Sequence, residues 1–224
     1  MKNRALNPYL IFHKTIFSSN ISWLCAALML SACTVLDKPV QATLYDFGPG
    51  SMITPARPAP TARAVMLAEV DAPTALDNTA VMYRLAYAND QQLRPYSQAR
   101  WSMPPAQLVR LRVREHLGQG GVVLNASDGA ALGRTSAGWP LLLRLELEEF
   151  SQRFDHPQTS IGLVKLRAVL IETTAGTDKL LGQRVWVTQR PAATGDAPGG
   201  VRALTAATDA LAAELSEWLN TWRR

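Results

Sequence analysis

Residues 141–147 read Leu-Leu-Leu-Arg-Leu-Glu-Leu, and residues 164–170 read Val-Lys-Leu-Arg-Ala-Val-Leu. In both stretches apolar side chains recur at every second position, and charged side chains occupy most of the positions between them. Strict alternation of this kind is typical of a β-strand that buries one face. The two stretches therefore predict neighbouring strands of an antiparallel sheet.

A third stretch, 181–187, completes this pattern. Residues 174–178 (Thr-Ala-Gly-Thr-Asp) precede it and have the composition of a hairpin turn. Alternation along the third stretch places Leu181, Val185 and Val187 on one face, which we expect to be the buried one. The sequence thus predicts a three-stranded antiparallel meander.

Working outward from the meander, the chain is expected to form a single compact α/β domain, a mixed β-sheet with the antiparallel meander flanked by helices. Short apolar or β-branched runs bounded by turn residues predict the other strands. These strands are expected at 43–47, 64–70, 80–87, 93–96 and 122–124.

A first helix is expected from Ser102, as the capping residue, to Leu117, ending at Gly118. Pro104 and Pro105 fall in its first turn, where a missing N–H has little effect. Apolar residues at helical spacing form one stripe, and Leu108 and Leu111 lie roughly opposite, so we expect this helix to be covered on two sides.

The last element is expected to be an amphipathic helix from Val201 to about Trp222. Its apolar residues, such as Leu204, Leu211 and Trp218, recur at a spacing of seven. The stripe is expected to pack on the sheet. The alternative is a partner-binding helix, in which Trp218 and Trp222 form the contact.

Composition excludes several classes of protein. The chain has 224 residues, of which 47% are hydrophobic and 18% charged, which excludes an intrinsically disordered chain. Two cysteines cannot support a disulfide-rich scaffold. Three of the 23 basic residues and none of the 18 acidic ones lie in residues 1–32. The basic residues of the remaining chain are scattered, so we expect no nucleic-acid partner.

Residues 1–32 are predicted to be a signal peptide. Positively charged Lys2, Arg4 and Lys14 precede an apolar core at Ile21–Leu30. That core is too short to span a bilayer, which takes roughly 20 residues, and fits a secretory signal sequence.

The sequence Leu30-Ser31-Ala32-Cys33 resembles the lipobox of bacterial lipoproteins. The small residues before the cysteine fit the peptidase subsites just before the cleavage site, and the thiol of Cys33 accepts the lipid. Cys25 would be lost with the signal peptide. Thr34 follows, rather than the aspartate that retains lipoproteins in the inner membrane of enteric-type bacteria. Lipid on Cys33 is therefore expected to anchor the protein at the periplasmic face of the outer membrane.

The mature chain is expected to have two parts. Residues 33–62 form a lipidated tether with a short strand and a Pro-rich segment, and residues 63–224 form the folded domain. Pro55, Pro58 and Pro60 make the segment stiff and extended.

A search for chemistry predicts no catalytic residue, no cofactor and no metal site. His116 and His156 are the only histidines after Cys33, and they lack metal-ligand spacing. Residues 118–121 (Gly-Gln-Gly-Gly) follow a predicted helix and precede a strand, the reverse of a phosphate-binding loop. Glu146 and Glu148 are expected to lie on a solvated strand face rather than to act as a glycosidase pair.

A series of local motifs carries a resemblance to a known family. The lipobox is followed by Tyr45-Asp46-Phe47-Gly48-Pro49, and later by Arg100-Trp101 with Pro104-Pro105. Val81-Met82-Tyr83-Arg84 and Leu181-Gly182-Gln183-Arg184 fall in the same order. Together these motifs resemble the ABC-type transport auxiliary lipoprotein family, which includes the lipoprotein of the paraquat-inducible intermembrane transport system.

This resemblance implies a function and a fold. Such lipoproteins are non-enzymatic partners of permeases, ATPases and MCE-domain proteins that move lipids or other hydrophobic molecules between the inner and outer membranes. Their fold is similar to the amino-terminal domain of TolB. Only Cys33 carries over as a functional residue, and a second copy of the chain is a further candidate partner.

Two other functions stay open on the sequence. One is a structural lipoprotein that assists assembly of the outer membrane or of a secretion complex. The other is an envelope hydrolase with a cryptic Ser–His–Asp site, which would use His116 or His156.

Overall fold

The computed structural model describes residues 41–50, 63–128, 138–174 and 177–223. The predicted signal peptide, Cys33 and the prolines at 55, 58 and 60 lie outside the described residues. The chain from Ala42 onward forms one compact unit. The predicted division of the mature chain at residue 62 stays a prediction.

Eight strands and three α-helices make up the described part of the chain, with two 3₁₀ turns at Thr74–Leu76 and Ala126–Asp128. The strands are β1 (Thr43–Tyr45), β2 (Val65–Asp71), β3 (Ala80–Leu85), β4 (Leu93–Trp101), β5 (Val123–Asn125), β6 (Leu141–His156), β7 (Thr159–Thr174) and β8 (Thr177–Pro191). The helices are α1 (Ala86–Asn89), α2 (Pro105–Gln119) and α3 (Ala197–Asn220).

The strands form one mixed sheet in which β6 is central. β7 pairs with β6 antiparallel along its whole length, from Leu141↔Glu172 to His156↔Thr159. The other edge of β6 is shared by two parallel strands, β2 at its start and β3 at its end. β5 extends the sheet beyond β2, while β4 and then β1 extend it beyond β3.

The predicted meander is confirmed as β6–β7–β8, with longer strands than the alternation indicated. β6 continues to His156 because its polar second half keeps backbone partners in both β3 and β7. β7 and β8 pair as far as Thr174 and Thr177, where the hairpin turn is predicted, and residues 175–176 lie outside the described residues.

The predicted buried face of β8 is wrong. Trp186 and Thr188 face the core, at 3% and 6% exposure, while Val185 and Val187 are 38% and 57% exposed. The pairing with β7 decides this, because Trp186 lies opposite buried Leu166 and shares its face. The register of the β7–β8 pairing shifts between Leu170 and Ile171, where Leu181 is an extra residue of β8. The residues of β8 before Leu181 therefore do not continue this alternation.

Helix α2 departs from the prediction at both ends and in its coverage. The residue before its first turn is Pro104, which has no capping side chain, so Ser102 is not the cap. The helix ends at Gln119, and Gly120 follows it. Leu108 is buried in the core with the residues of the stripe, but Leu111 is half exposed, so the helix is covered on one side only.

Helix α3 packs its apolar stripe on the sheet, as predicted. Leu204, Leu211 and Leu215 are fully buried against β6, β7, β8 and α2. The helix begins four residues earlier than predicted, because Asp196 caps it by accepting a 2.9 Å hydrogen bond from the Gly199 N–H.

The closest approach of α3 to the sheet occurs at Gly162 of β7, and it generates a stability prediction. A Cβ on Gly162 would lie 2.5 Å from the backbone C of Ala203 and N of Leu204. We expect Gly162→Ala to lower the free energy of unfolding by about 1–3 kcal/mol, since α3 must move away. Gly118→Ala is the control, because no neighbouring element lies within 4 Å of its Cβ, and it should raise the free energy of unfolding by up to about 1 kcal/mol, since alanine favours a helix more than glycine. Urea unfolding measures both, and equal stability of the two variants would contradict the prediction.

Candidate functional site

The segment that leads from Cys33 into the domain is attached to the sheet through β1. β1 pairs with β4 in parallel, with Thr43 opposite Ala99 and Tyr45 opposite Trp101. The Ser102 N–H also donates a 2.8 Å hydrogen bond to the Tyr45 carbonyl. The chain nearest to the predicted lipidation site is thus a strand of the folded sheet.

Phe47 follows β1 and inserts into an aromatic cluster. Its ring lies 5.6 Å from that of Trp101 in an edge-to-face arrangement, and 6.1 Å from that of Phe150. All three side chains are buried. Edge-to-face aromatic pairs contribute about 0.5–1.5 kcal/mol beyond the area they bury, so this cluster fixes the position of the motif.

Arg112 of α2 holds the same segment from the other side. Its guanidinium donates a short hydrogen bond to the Phe47 carbonyl and lies 5.9 Å from the Phe47 ring centre. It also lies 3.4 Å from the Asp209 carboxylate of α3 and 3.8 Å from Glu115. Because Arg112 is only 7% exposed, these partners compensate a charge that water barely reaches.

The turn after Phe47 directs the chain away from this contact. Asp46 accepts a 2.8 Å hydrogen bond from the Gly48 N–H, and Gly48 and Gly50 have φ angles of 70° and 68°. Such angles favour glycine. We call residues 45–50, together with Arg112, the β1 anchorage. A cavity of about 300 Å³ separates residues 46–48 from Val201, Arg202, Thr205, Ala206 and Asp209.

A buried polar network adjoins the segment before α3, where Gln152 Nε2 lies 3.5 Å from the Thr194 carbonyl. The Tyr96 hydroxyl donates a 2.8 Å hydrogen bond to Gln152 Oε1, and Gln152 Nε2 donates a 2.7 Å bond to Ser160. Burial raises the pKa of Tyr96, so its hydroxyl stays a donor. Hydrogen bonds from Thr194 and from the Gly199 N–H hold the pKa of Asp196 below its usual value, which keeps the cap ionised.

The histidines do not form a hydrolytic site in the described part of the chain. His116 Nε2 lies 3.9 Å from Asp209, beyond hydrogen-bonding distance, and no hydrogen bond from His116 to a serine is described there. A cavity of about 290 Å³ adjoins His116 and Ser216. His156 is exposed at the end of β6. A serine nucleophile needs a histidine within hydrogen-bonding reach, and this geometry does not supply one.

The acidic residues of β6 belong to an ion-pair network on the outer face of the sheet. Glu148 lies 2.7 Å from Lys165 and also contacts Arg167, which lies 3.5 Å from Glu146. The hydrogen bond from Lys165 lowers the pKa of Glu148. A glycosidase acid needs a raised pKa instead. Within the described ranges, no group of three His, Cys, Asp or Glu residues could hold a metal ion.

Residues 118–121 form the helix stop and turn expected from their order. Gly120 ends α2, and the guanidinium of buried Arg223 packs against Gly120 and Gly121. Arg223 donates to the carbonyls of Leu117 and Val122 at 3.4 and 3.3 Å. Burial lowers the pKa of Arg223.

Residues 45–216 match the family model of the ABC-type transport auxiliary lipoprotein component. The chain belongs to this family. It is therefore an auxiliary lipoprotein component of an ABC-type transport system and a lipid-anchored protein of the cell envelope. The matched span begins at Tyr45, the first residue of the β1 anchorage.

Solved structures similar to this auxiliary lipoprotein establish its fold alone. A Xanthomonas campestris protein is 16% identical, with a TM-score of 0.60, over 79% of this chain and 94% of its own. An uncharacterized protein is 15% identical, with a TM-score of 0.53, over 80% of this chain and 99% of its own. No curated protein matches the sequence of the lipoprotein.

Trp218 and Trp222 of the lipoprotein pack, half buried, over Gly182 of β8. The ring of Trp218 lies 5.5 Å from that of Trp186 in an edge-to-face arrangement. Contact of the two tryptophans with a partner stays a prediction. No helix in the described ranges has the length and apolarity to span a bilayer.

Sequence reasoning missed Arg112 and Gln152 and placed the start of α3 too late. Arg112 is buried, whereas Arg110 and Arg114 on the same helix are half-buried, and residue type alone does not distinguish them. The cap had a signal, since Asp196 is followed by Ala197 and Pro198, and aspartate before proline is a typical helix start.

Replacing Arg112 tests the β1 anchorage. Arg112→Met removes the donor to Phe47 and leaves Asp209 without its cation, so we expect a loss of about 2–3 kcal/mol in the free energy of unfolding. Amide hydrogen exchange should accelerate at residues 43–48 while β6–β8 stay protected. Arg202→Met, an exposed arginine beside the same cavity, is the control. Unchanged exchange at residues 43–48 would contradict this assignment.

Replacing Asp196 tests the cap and its pH dependence. Asp196→Ala should lower the free energy of unfolding by about 1 kcal/mol at neutral pH, and Asp196→Asn by less, because asparagine also caps. Since the pKa of Asp196 is lowered in the folded state, its ionised form stabilises the fold above the usual carboxyl pKa. This stabilisation is lost as the pH falls through the lowered value, so the wild type should approach Asp196→Asn there. Urea unfolding across that range measures it, and a constant difference would refute the ionised cap.

Proposed function

We propose that this lipoprotein is held by lipid on Cys33 at the periplasmic face of the outer membrane. There it is a non-catalytic auxiliary component of an ABC/MCE-type system that moves lipids or other hydrophobic molecules between the inner and outer membranes. The family match over residues 45–216 carries this proposal. The lipobox-like Leu30-Ser31-Ala32-Cys33 and the threonine after it support the location.

Engagement of the chemically capable side chains in ion pairs supports a non-catalytic role. Glu146 and Glu148 pair with Arg167, and Asp209 pairs with Arg112. A catalytic group needs a free face toward a substrate and a pKa suited to proton transfer. The lipoprotein is instead suited to bind and position partner subunits.

The β1 anchorage supports a docking mechanism. Lipid holds residue 33 at the membrane, the Pro-containing tether sets the reach of the domain, and β1 joins that tether to the sheet. A surface of the folded domain then binds an MCE-domain protein or a permease component of the transport system.

Two features of this proposal rest on the family resemblance alone: the MCE partner and the similarity to the amino-terminal domain of TolB. Association with a second copy is proposed because a ring would suit a conduit. The competing function is a structural lipoprotein that assists outer-membrane or secretion-complex assembly. It requires partners among barrel or secretin proteins. The envelope hydrolase would require loss of an activity when His116 or His156 is replaced.

Crosslinking of the full-length lipoprotein in the envelope, followed by mass spectrometry, tests the transport role. Recovery of an MCE or permease subunit is the expected result. Recovery of barrel or secretin proteins alone would favour the assembly role and overturn the proposal.

Replacement of the two cysteines tests the lipid anchor. Cys33→Ser should abolish labelling by radioactive palmitate and release the protein from the outer-membrane fraction, because the thioether cannot form. Cys25→Ser is the matched control and should leave both unchanged, since residue 25 precedes the predicted cleavage site. Palmitate labelling of Cys33→Ser at the wild-type level would refute the assignment of the lipid to Cys33.

A further inference from the structure

Strand β8 is an open edge of the sheet. It pairs with β7 from Ile161↔Pro191 to Thr174↔Thr177, and no other strand of the described ranges pairs with it. Along such an edge, alternate residues direct their backbone N–H and C=O groups away from the sheet. These groups can form hydrogen bonds with an added strand.

The outward-facing side chains of β8 include three exposed apolar residues. Leu180 is 61% exposed, and Val185 and Val187 are 38% and 57% exposed. Across β7, Arg167 and Lys165 lie opposite Val185 and Val187, and both cations are paired with acidic residues of β6. Val185 and Val187 are therefore exposed apolar contacts of the outer face beside the open edge.

The charge of β8 is predominantly basic. It carries Lys179, Arg184 and Arg190 against Asp178, and within the described ranges none of these three cations is ion-paired. The guanidinium of Arg184 lies 5.0 Å from the ring centre of Trp186, exposed at the edge. Two β8 strands side by side would bring like charges together, which disfavours a second copy at this edge.

We propose that the β8 edge, residues 183–190, binds an extended segment of a partner subunit of the transport system by strand addition. Backbone hydrogen bonds provide the affinity, and side chains on the two faces select the segment. Apolar residues of that segment lie opposite Val185 and Val187, and acidic residues lie opposite Arg184 and Arg190. Pro191, which lacks an N–H, and the irregularity at Leu181 limit the site at its two ends. This inference rests on the proposed transport role.

The test places a photo-crosslinking amino acid at Gln189 of the full-length lipoprotein in cells. Gln189 is exposed and shares the outer face with Val187. We expect a crosslink to a transport subunit, within a segment in which apolar residues alternate with polar and acidic ones. Val185→Lys/Val187→Lys should reduce the yield about tenfold, and so should Arg184→Glu, which reverses the charge without changing the valines. Leu111→Lys, an exposed apolar residue on α2, is the matched control and should leave the yield unchanged.

Several results would overturn the inference. They are a crosslink at Gln189 to a second copy of the chain alone, a yield that survives both sets of substitutions, and no crosslink at Gln189. The envelope-wide crosslinking experiment separates this failure from that of the transport role. If that experiment recovers an MCE or permease subunit, only the β8 site is lost, whereas recovery of neither overturns both.

Discussion

The pairing of β6 along both of its edges is the constraint on which the rest of the structure depends. β7 occupies one edge over the full length, while β2 and β3 divide the other between them. Leu141, Leu143, Leu145 and Leu147 fill the core beneath the first half, and Phe150 continues it. A slip of one residue in β6 would direct these side chains to solvent and detach two parallel strands at once. Register in this strand therefore positions both halves of the sheet.

The same strand connects the core to the two polar contacts that fix the ends of the chain. Phe150 receives the ring of Phe47, which Arg112 holds through its carbonyl. Gln152, two residues later, bonds to Tyr96 and Ser160 and lies 3.5 Å from the carbonyl of Thr194, just before α3. Hydrogen bonds of this kind are strengthened inside a low-dielectric core, where they favour a single geometry. The segment near the lipid and the C-terminal helix are thus positioned by one strand.

The elements with strong periodicity could be predicted from the sequence, and those set by long-range pairing could not. Alternation identified β6 and β7, and the seven-residue spacing identified α3, because burial of one face produces both patterns. The face of β8 was assigned wrongly, because Val185 and Val187 are more apolar than Thr188, yet pairing with β7 directs Trp186 and Thr188 inward. The roles of Arg112 and Gln152 could not be predicted from the sequence, because their partners lie on distant segments. The family resemblance supplied the transport role, which periodicity does not encode.

The parallel pairing of β1 with β4 has a mechanical consequence. The chain enters β1 from the side of Cys33, so if Cys33 carries the lipid that we propose, tension from the membrane reaches the domain through residue 43 first. When that tension is directed along the strand, it acts in shear on the pairs from Thr43↔Ala99 to Tyr45↔Trp101, so these pairs share the force instead of breaking in succession. After these pairs along the chain, the Phe47 ring in its aromatic cluster and the guanidinium of Arg112 provide further contacts that resist the force. A domain held in this way can stay folded while its membrane and its partner move relative to each other.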